Sequence, residues 1–278
     1  MVPPIGGLVR YLLLPMLPAF LLACGDGDPK PFQEITVSAG GVHACLVDGF
    51  GVLSCWGGNN HGQTQTPDGE FSTVSAGYDH TCALDLDGGM MCWGTGGASS
   101  EGSFDSLSAG GDVTCALDGS ELTCWGVTPT VGSYNQVSAG NGHACAVTTD
   151  KAVECWGGDS EGQASPTAGE FVAVGAGDAH SCGLHTGGTI TCWGNDSLGQ
   201  LQAPAGAFES LTVGTTHACA LDDSGTATCW GQDSRGKATP PGDQTFSQIS
   251  AGRSNTCGLT DGDIVVCWGA NGDGQSSP

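Results

Sequence analysis

The chain carries 29 Asp and Glu against 6 Lys and Arg over 278 residues, a formal net charge of −23. Such a surface repels phosphate backbones and excludes nucleic acid as a partner. Its 49 glycines and 15 cysteines argue against long helices and for short strands with many turns, cross-linked by disulfides if the chain is exported.

Residues 1–23 read as a secretory leader. Arg10 supplies a positive start, and Tyr11 to Ala23 is an apolar run too short for a comfortable membrane span. It ends in Leu21-Leu22-Ala23-Cys24, which resembles the bacterial lipobox. That resemblance implies cleavage before Cys24 and acylation of its thiol and amine; an ordinary signal peptide is the alternative. Several acyl chains anchor stably where one is marginal. Residues 24–33 then form the lipidated cysteine and a polar tether. Gly25 in place of an aspartate points to the outer membrane or cell surface of a bacterial envelope. No later segment approaches 18 apolar residues, so the lipid is the sole membrane contact expected.

Residues 34–278 are seven repeats. Their cysteines pair as Cys45/Cys55, Cys82/Cys92, Cys115/Cys124, Cys145/Cys155, Cys182/Cys192, Cys219/Cys229 and Cys257/Cys267, and each pair ends in Cys-Trp-Gly. The first cysteines stand 37, 33, 30, 37, 37 and 38 residues apart, a period that means a solenoid, a propeller or an array. The second repeat shows three strand-like runs: Phe71-Ser-Thr-Val74-Ser-Ala-Gly77, His80-Thr-Cys82-Ala-Leu84 and Met90-Met-Cys92-Trp-Gly94. An Asp/Gly cluster around Asp87 separates the last two and signals a hairpin. Pairing residue 82 with 92 aligns 83 with 91 and 84 with 90, so the cysteines face each other across an antiparallel ladder. A non-hydrogen-bonded pair there has its Cα atoms within about 4.5 Å, near the lower end of disulfide reach. Seven disulfides within hairpins follow as the simplest connectivity.

Each tryptophan follows the second cysteine directly, so disulfide and indole lie on opposite faces of a strand and both faces must be buried. That suits blades stacked around an axis; packing is preferred to a sugar-binding platform. His43, His80, His143, His180 and His217 share one position, two before the first cysteine, where Val113 and Asn255 stand in the other repeats. They are read as structural, bonded to neighbouring backbone, and not as a metal ring. After Cys-Trp-Gly come polar turns ending in Gly62-Gln63, Gly162-Gln163, Gly199-Gln200 and Gly274-Gln275, with Gly236-Lys237 in repeat six. Stretches such as Asn271-Gly-Asp273-Gly lack the ligand set of an EF-hand, so turns explain them and no metal or cofactor is expected.

The unit Val-Ser-Ala-Gly-x-x-His-x-Cys-Ala-Leu, followed by Cys-Trp-Gly-x-Asn-x-x-Gly-Gln, resembles the regulator of chromosome condensation repeat from Glu34 to Pro278. Its period is closer to the bacterial group of the β-lactamase inhibitory protein of type II than to the longer eukaryotic repeats. The resemblance implies an all-β, seven-bladed β-propeller that binds protein through one face. It transfers no binding residue, because the shared motif is framework. The last repeat stops at Pro278, while Phe32 and Ile35 to Gly40 supply the missing continuation, as a closed, monomeric ring requires. Repeats two and three have shortened loops, and Arg235, Lys237 and Arg253 gather in repeats six and seven, two sectors that would make the ring directional.

The resulting expectation is a non-enzymatic envelope lipoprotein whose propeller binds an unidentified protein. The alternatives are an inhibitor of a secreted or periplasmic enzyme, and a glycan-binding or catalytic propeller. No Ser-His-Asp order, nucleophile elbow, HExxH or paired-carboxylate motif stands apart from the repeat.

Overall fold

The structure is a computed structural model that describes residues 34–96 and 100–278. The expected leader, Cys24, the expected tether and Phe32 lie outside the described residues. Seven separate three-stranded antiparallel sheets follow one another along the chain. Blade 1 is β1 (Thr36–Ala39), β2 (His43–Val47) and β3 (Leu53–Gly57). Blade 2 is β4 (Phe71–Ala76), β5 (His80–Asp85) and β6 (Met90–Gly94). Blades 3 to 7 repeat the plan over 106–125, 134–157, 171–194, 210–231 and 246–269. The one helical piece among the described residues is a single 3₁₀ turn, Ser234–Gly236.

The expected register holds: Cys82 pairs with Cys92, Ala83 with Met91 and Leu84 with Met90. Each hairpin carries one disulfide. The bonds are Cys45–Cys55, Cys82–Cys92, Cys115–Cys124, Cys145–Cys155, Cys182–Cys192, Cys219–Cys229 and Cys257–Cys267, with Cα atoms 4.0–4.1 Å apart.

The two halves of each bond differ in setting, which corrects the expectation that both faces of the Cys-Trp-Gly strand are buried. The first cysteine, on the middle strand, is fully buried in every blade. Cys55, Cys92, Cys124, Cys155, Cys192, Cys229 and Cys267, on the third strand, are only half-buried. The reason is topological. The third strand is the outer edge of its sheet, hydrogen-bonded on one side alone, so neighbouring blades cover its faces but not its rim. Four of the indoles beside these cysteines, Trp56, Trp93, Trp125 and Trp268, are likewise half-buried, while Trp156, Trp193 and Trp230 are buried.

Alternation still sends disulfide and indole to opposite sides of a blade. Cys45, Val47 and Leu53 of blade 1, with Cys55, pack against Phe71, Val74 and Trp93 of blade 2. Cys145, Val147 and Val153 of blade 4, with Cys155, meet Phe171, Val174 and Trp193 of blade 5 in the same way. The core is therefore a series of interblade layers, each with a disulfide on one side and an indole on the other.

The first strand of each blade is innermost, and these strands neighbour one another round the axis, β1 lying between β4 and the blade 7 strand Phe246–Ala251. Two rings of hydrogen bonds join them. In the first, the residue after each Ala-Gly (Val-Gly in blade 6) donates its N–H to the next blade, as from Gly41 to Gly77 O at 3.0 Å, and Arg253 closes the circle on Gly40 O at 3.0 Å. In the second, each serine or threonine hydroxyl accepts the next blade's alanine N–H, as Ser38 accepts from Ala76 and Ser250 from Ala39, both at 2.9 Å. One link is missing. Blade 5 has Gly175 where the serine belongs, and a Cβ there would collide with Val213, which stands in the alanine position of blade 6. The two departures compensate each other.

Every inner strand runs toward its Ala-Gly turn and every middle strand runs back. The ring thus has a turn end, with the Gly-x-x-His turns and Gly-Gln loops, and a hairpin end, with the Asp/Gly hairpins. The glycine of Cys-Trp-Gly is required at the turn end. Gly57 has φ +101°, and a Cβ there would lie 2.7 Å from Val42 O.

Candidate functional site

The repeat residues that stand out in the sequence are consumed by contacts between blades. His43 Nε2 lies 2.8 Å from Thr81 Oγ1 of the next blade, and Thr81 donates its hydroxyl proton to Gln63 O at 2.8 Å. That hydroxyl has one proton, so the imidazole Nε2–H is the donor in the first bond. The His143–Ser181–Gln163 and His217–Thr256–Lys237 chains repeat the arrangement, and His80 meets Thr114 at 3.0 Å. The sequence pattern points to a backbone partner for the histidine; the partner is instead a hydroxyl on the next blade, with the backbone one bond further on. Burial, with His80 adding to it, holds the His43 imidazole down to about 4. Burial likewise brings His217 to about 3, aided by Lys237. These rings are neutral frame members.

The Gly-Gln turns have a role beyond turning. The glutamine carbonyl accepts the next blade's indole N–H: Gln63 O from Trp93, Gln163 O from Trp193 and Gln200 O from Trp230, each at 2.9 Å, and Gln275 O from Trp56 at 3.1 Å. The last of these ties the end of repeat seven to blade 1. Trp156 follows a repeat without Gly-Gln, and its buried indole nitrogen has no such partner. The Asn or Asp two residues past Cys-Trp-Gly caps its own loop, as Asp159 does for the Ala164 N–H at 2.8 Å and Asn271 for Ser276 at 2.9 Å. Among the described residues no group of three or more His, Cys, Asp and Glu is placed to hold a metal ion.

Departures from the frame come in matched pairs. Val113 replaces histidine in blade 3, and Ala144 of blade 4 correspondingly lacks the hydroxyl. Asn255 replaces it in blade 7 and turns to Gln275 O at 3.3 Å, with Ala44 opposite. His180 is the exception. Blade 6 presents Ala218, so both nitrogens of this fully buried ring are without partners. Of the basic residues that gather in repeats six and seven, Lys237 does not reach the surface, for it is only 3% exposed. It fills the glutamine slot of repeat six, and its Nζ donates to Thr216 Oγ1, Gln232 Oε1 and the Arg253 carbonyl at 2.7–3.1 Å. Burial pulls its ammonium down to about 8, against the opposing pull of Asp233.

What the frame leaves over lies at the mouth of the central channel, on the turn end. The two positions between Ala-Gly (Val-Gly in blade 6) and the histidine position differ in every repeat: Gly-Val, Tyr-Asp, Gly-Asp, Asn-Gly, Asp-Ala, Thr-Thr and Arg-Ser. Their first members, Tyr78, Asn141, Thr215 and Arg253 among them, line the channel. Asn141 Nδ2 donates to Asp178 Oδ1 at 2.5 Å. The Arg253 guanidinium stands over the Tyr78 ring, 5.7 Å from its centre, a cation–π distance. The Tyr78 hydroxyl faces Thr215 without a well-formed hydrogen bond, and burial raises its pKa above the ordinary phenol value. A repeat motif passes over this polar, asymmetric mouth because no residue type there is common to the repeats. The signal is their divergence between fixed neighbours.

The repeat model described as the regulator of chromosome condensation (RCC1) repeat matches residues 71–99, 134–163, 171–200, 208–237 and 246–275, more than half the chain. The protein belongs to the RCC1 repeat family. Each matched segment begins at an aromatic residue at or just before an inner strand, three of them end at a Gly-Gln turn, and blades 1 and 3 are not among them. No curated protein sequence matches the chain. Among solved structures, the CRINKLY WD40 ectodomain of the Arabidopsis thaliana receptor kinase ACR4 is 27% identical over 89% of this chain and 98% of its own, with a TM-score of 0.73. The ectodomain of the Physcomitrella patens receptor kinase CR4 is 26% identical over 84% and 73%, with a TM-score of 0.72. Prp20p of Saccharomyces cerevisiae shares the fold at 16% identity over 82% and 84%, with a TM-score of 0.67. Seven disulfides fit an oxidising, exported setting.

Proposed function

We propose that this RCC1-repeat protein is a non-enzymatic, lipid-anchored scaffold of the bacterial envelope that binds a protein partner at the mouth of its ring. The observation that carries the reading is the division of labour within each repeat. Cysteine, tryptophan, histidine and glutamine are tied into blade contacts, while the divergent residues converge on one polar surface. A rigid, closed frame presenting varied side chains at one mouth suits recognition, since little ordering entropy is lost on binding. Prp20p, whose reported binding to Gsp1p and histones is a property of that protein, offers a fold-level precedent. Four of the five buried imidazoles, His43, His80, His143 and His217, support the non-enzymatic part, because each is bonded to a hydroxyl of the next blade. Cys24 supplies the anchor, through the lipobox-like Leu21-Leu22-Ala23-Cys24.

A photo-crosslinking residue at Asn141, in cells that export the native chain, tests the reading. A discrete adduct from Asn141 and none from an equivalent probe at Gly187 on the hairpin end is the expected result. Metabolic labelling with an alkyne fatty acid reports the anchor separately. Label lost in Cys24→Ala supports acylation there, and unchanged label refutes it.

A further inference from the structure

The hairpin end of the ring has a character that the mouth does not share. Four large apolar side chains stand exposed on the hairpin tips of three contiguous blades: Ile264 in blade 7, Phe50 and Val52 in blade 1, and Leu86 in blade 2, between 44% and 73% exposed. The tips of blades 3, 5 and 6 carry Gly119-Ser120, Gly187-Gly188 and Ser224-Gly225 in their place. Val131 and Val172 are also exposed toward this end, but singly and off the hairpin tips; scattered residues need no explanation, whereas four on three adjacent tips do.

They are also held stiffly. Asp48 Oδ1 accepts the Phe50 and Val52 N–H groups at 2.8 and 2.9 Å, and Asp85 Oδ1 accepts those of Asp87 and Gly89 at 2.9 and 2.7 Å. Those turns also supply carboxylates, joined by Asp87, Asp261 and Asp263. No basic side chain lies on these three tips. Among the described residues, Lys151 on the blade 4 tip is the sole Lys or Arg at this end; Arg235, Lys237 and Arg253 belong to the turn end.

We propose that the hairpin tips of blades 7, 1 and 2 form a second docking surface, for a protein partner that presents apolar side chains among lysines or arginines. Charge decides between occupants. A second copy of this chain would bring carboxylates against carboxylates, and an anionic bilayer would bring phosphates, both repelled. A cationic surface is attracted, and apolar contacts at the centre of a charged rim give the patch its selectivity. The proposal rests on the reading of the ring as a protein-binding scaffold but uses the opposite end, so its failure leaves the Asn141 adduct untouched.

The test measures binding of two fluorescent 18-residue peptides to the purified full-length chain in detergent, at physiological salt. One peptide alternates lysine with leucine, and the other carries the same lysines with serine. The lysine–leucine peptide is expected to bind about tenfold tighter. The combination Phe50→Ser, Val52→Ser, Leu86→Ser and Ile264→Ser is expected to erase that difference, with the melting temperature reporting that the ring stays folded. Asp87→Asn with Asp263→Asn is expected to weaken both peptides. Equal affinity for the two peptides, or an advantage that survives the four serines, overturns the proposal. So does self-association, or sedimentation of the Cys24→Ser chain with phosphatidylglycerol vesicles, if either is abolished by the same serines.

Discussion

Ala218→Ser places a single oxygen beside His180, the one frame histidine with neither ring nitrogen bonded. Both partners for that hydroxyl are in position. In the equivalent chain one blade earlier, Ser181 accepts from His143 at 3.0 Å and donates to Gln163 O at 2.9 Å. Gln163 O accepts Trp193 Nε1 at the same time, at 2.9 Å, so Gln200 O can hold both Trp230 and a new serine. Two buried hydrogen bonds are gained, each worth about 1 kcal/mol net, against the cost of burying one hydroxyl. A net stabilisation of about 1–2 kcal/mol follows, or roughly 2–8 °C in Tm at this chain length. Ala144→Ser is the matched control. It faces Val113, after a repeat with no Gly-Gln carbonyl, and buries a hydroxyl without partners at a cost of about 1–3 kcal/mol. Thermal melts followed by tryptophan fluorescence compare the two variants. A fall or no change in Ala218→Ser, or equal shifts in both, would refute the hydroxyl-relay account of the frame.

Acid should loosen the ring. The imidazoles of His43 and His180 titrate near 4 and that of His217 near 3 in the fold, all driven down by burial, while unfolded histidine takes its proton near 6.5. Stability is therefore full above about pH 6.5 and falls as pH drops toward the folded values, by up to about 1.4 kcal/mol per pH unit per histidine; urea midpoints between pH 7 and pH 4 read this, and a flat profile contradicts it. Lys237 behaves oppositely in range. Its folded value near 8 lies below its unfolded 10.5, so stability rises as pH climbs from about 8 to 10.5. Lys237→Gln restores the repeat's own glutamine and is expected to stabilise the ring by about 1–3 kcal/mol at neutral pH, through loss of a buried ammonium, and to remove that alkaline rise; a destabilised variant that keeps the rise would contradict the burial argument.

Much of the frame is legible in the sequence, and for local reasons. The spacing from Cys82 to Cys92 fixes a hairpin register in which strand periodicity puts Trp93 on the other face, so disulfide and indole placement can be read without coordinates. Periodicity does not say that the strand is an edge, which is why Cys92 and its equivalents are less buried than the pattern implies. Ring closure is readable from Ile35 to Gly40 supplying what the last repeat lacks. What escapes acts between repeats. The Gln63 carbonyl serves Trp93 thirty residues on, and a backbone acceptor leaves no trace in residue type. The hydroxyl partner of His43 does leave one: Thr81, Thr114, Ser181 and Thr256 each follow a blade that carries the histidine. Lys237 misleads because composition treats a lysine as surface charge, whereas its slot is the buried one of Gln63 and Gln163. The mouth is hidden for the reverse reason, since repeat logic discards positions that vary.

If the repeated residues build the ring and the divergent mouth residues bind the partner, mutation separates stability from capture. Tyr78→Ser, Asn141→Ala, Asp178→Asn and Arg253→Ser combined in one chain, compared with Thr81→Ala alone, test it by melting temperature and by capture of the partner crosslinked from the mouth. The expected result is a mouth variant that melts within about 2 °C of the parent and captures nothing, beside a Thr81→Ala chain that melts several degrees lower and still captures. A mouth variant that keeps its partner while Thr81→Ala loses it would contradict the account.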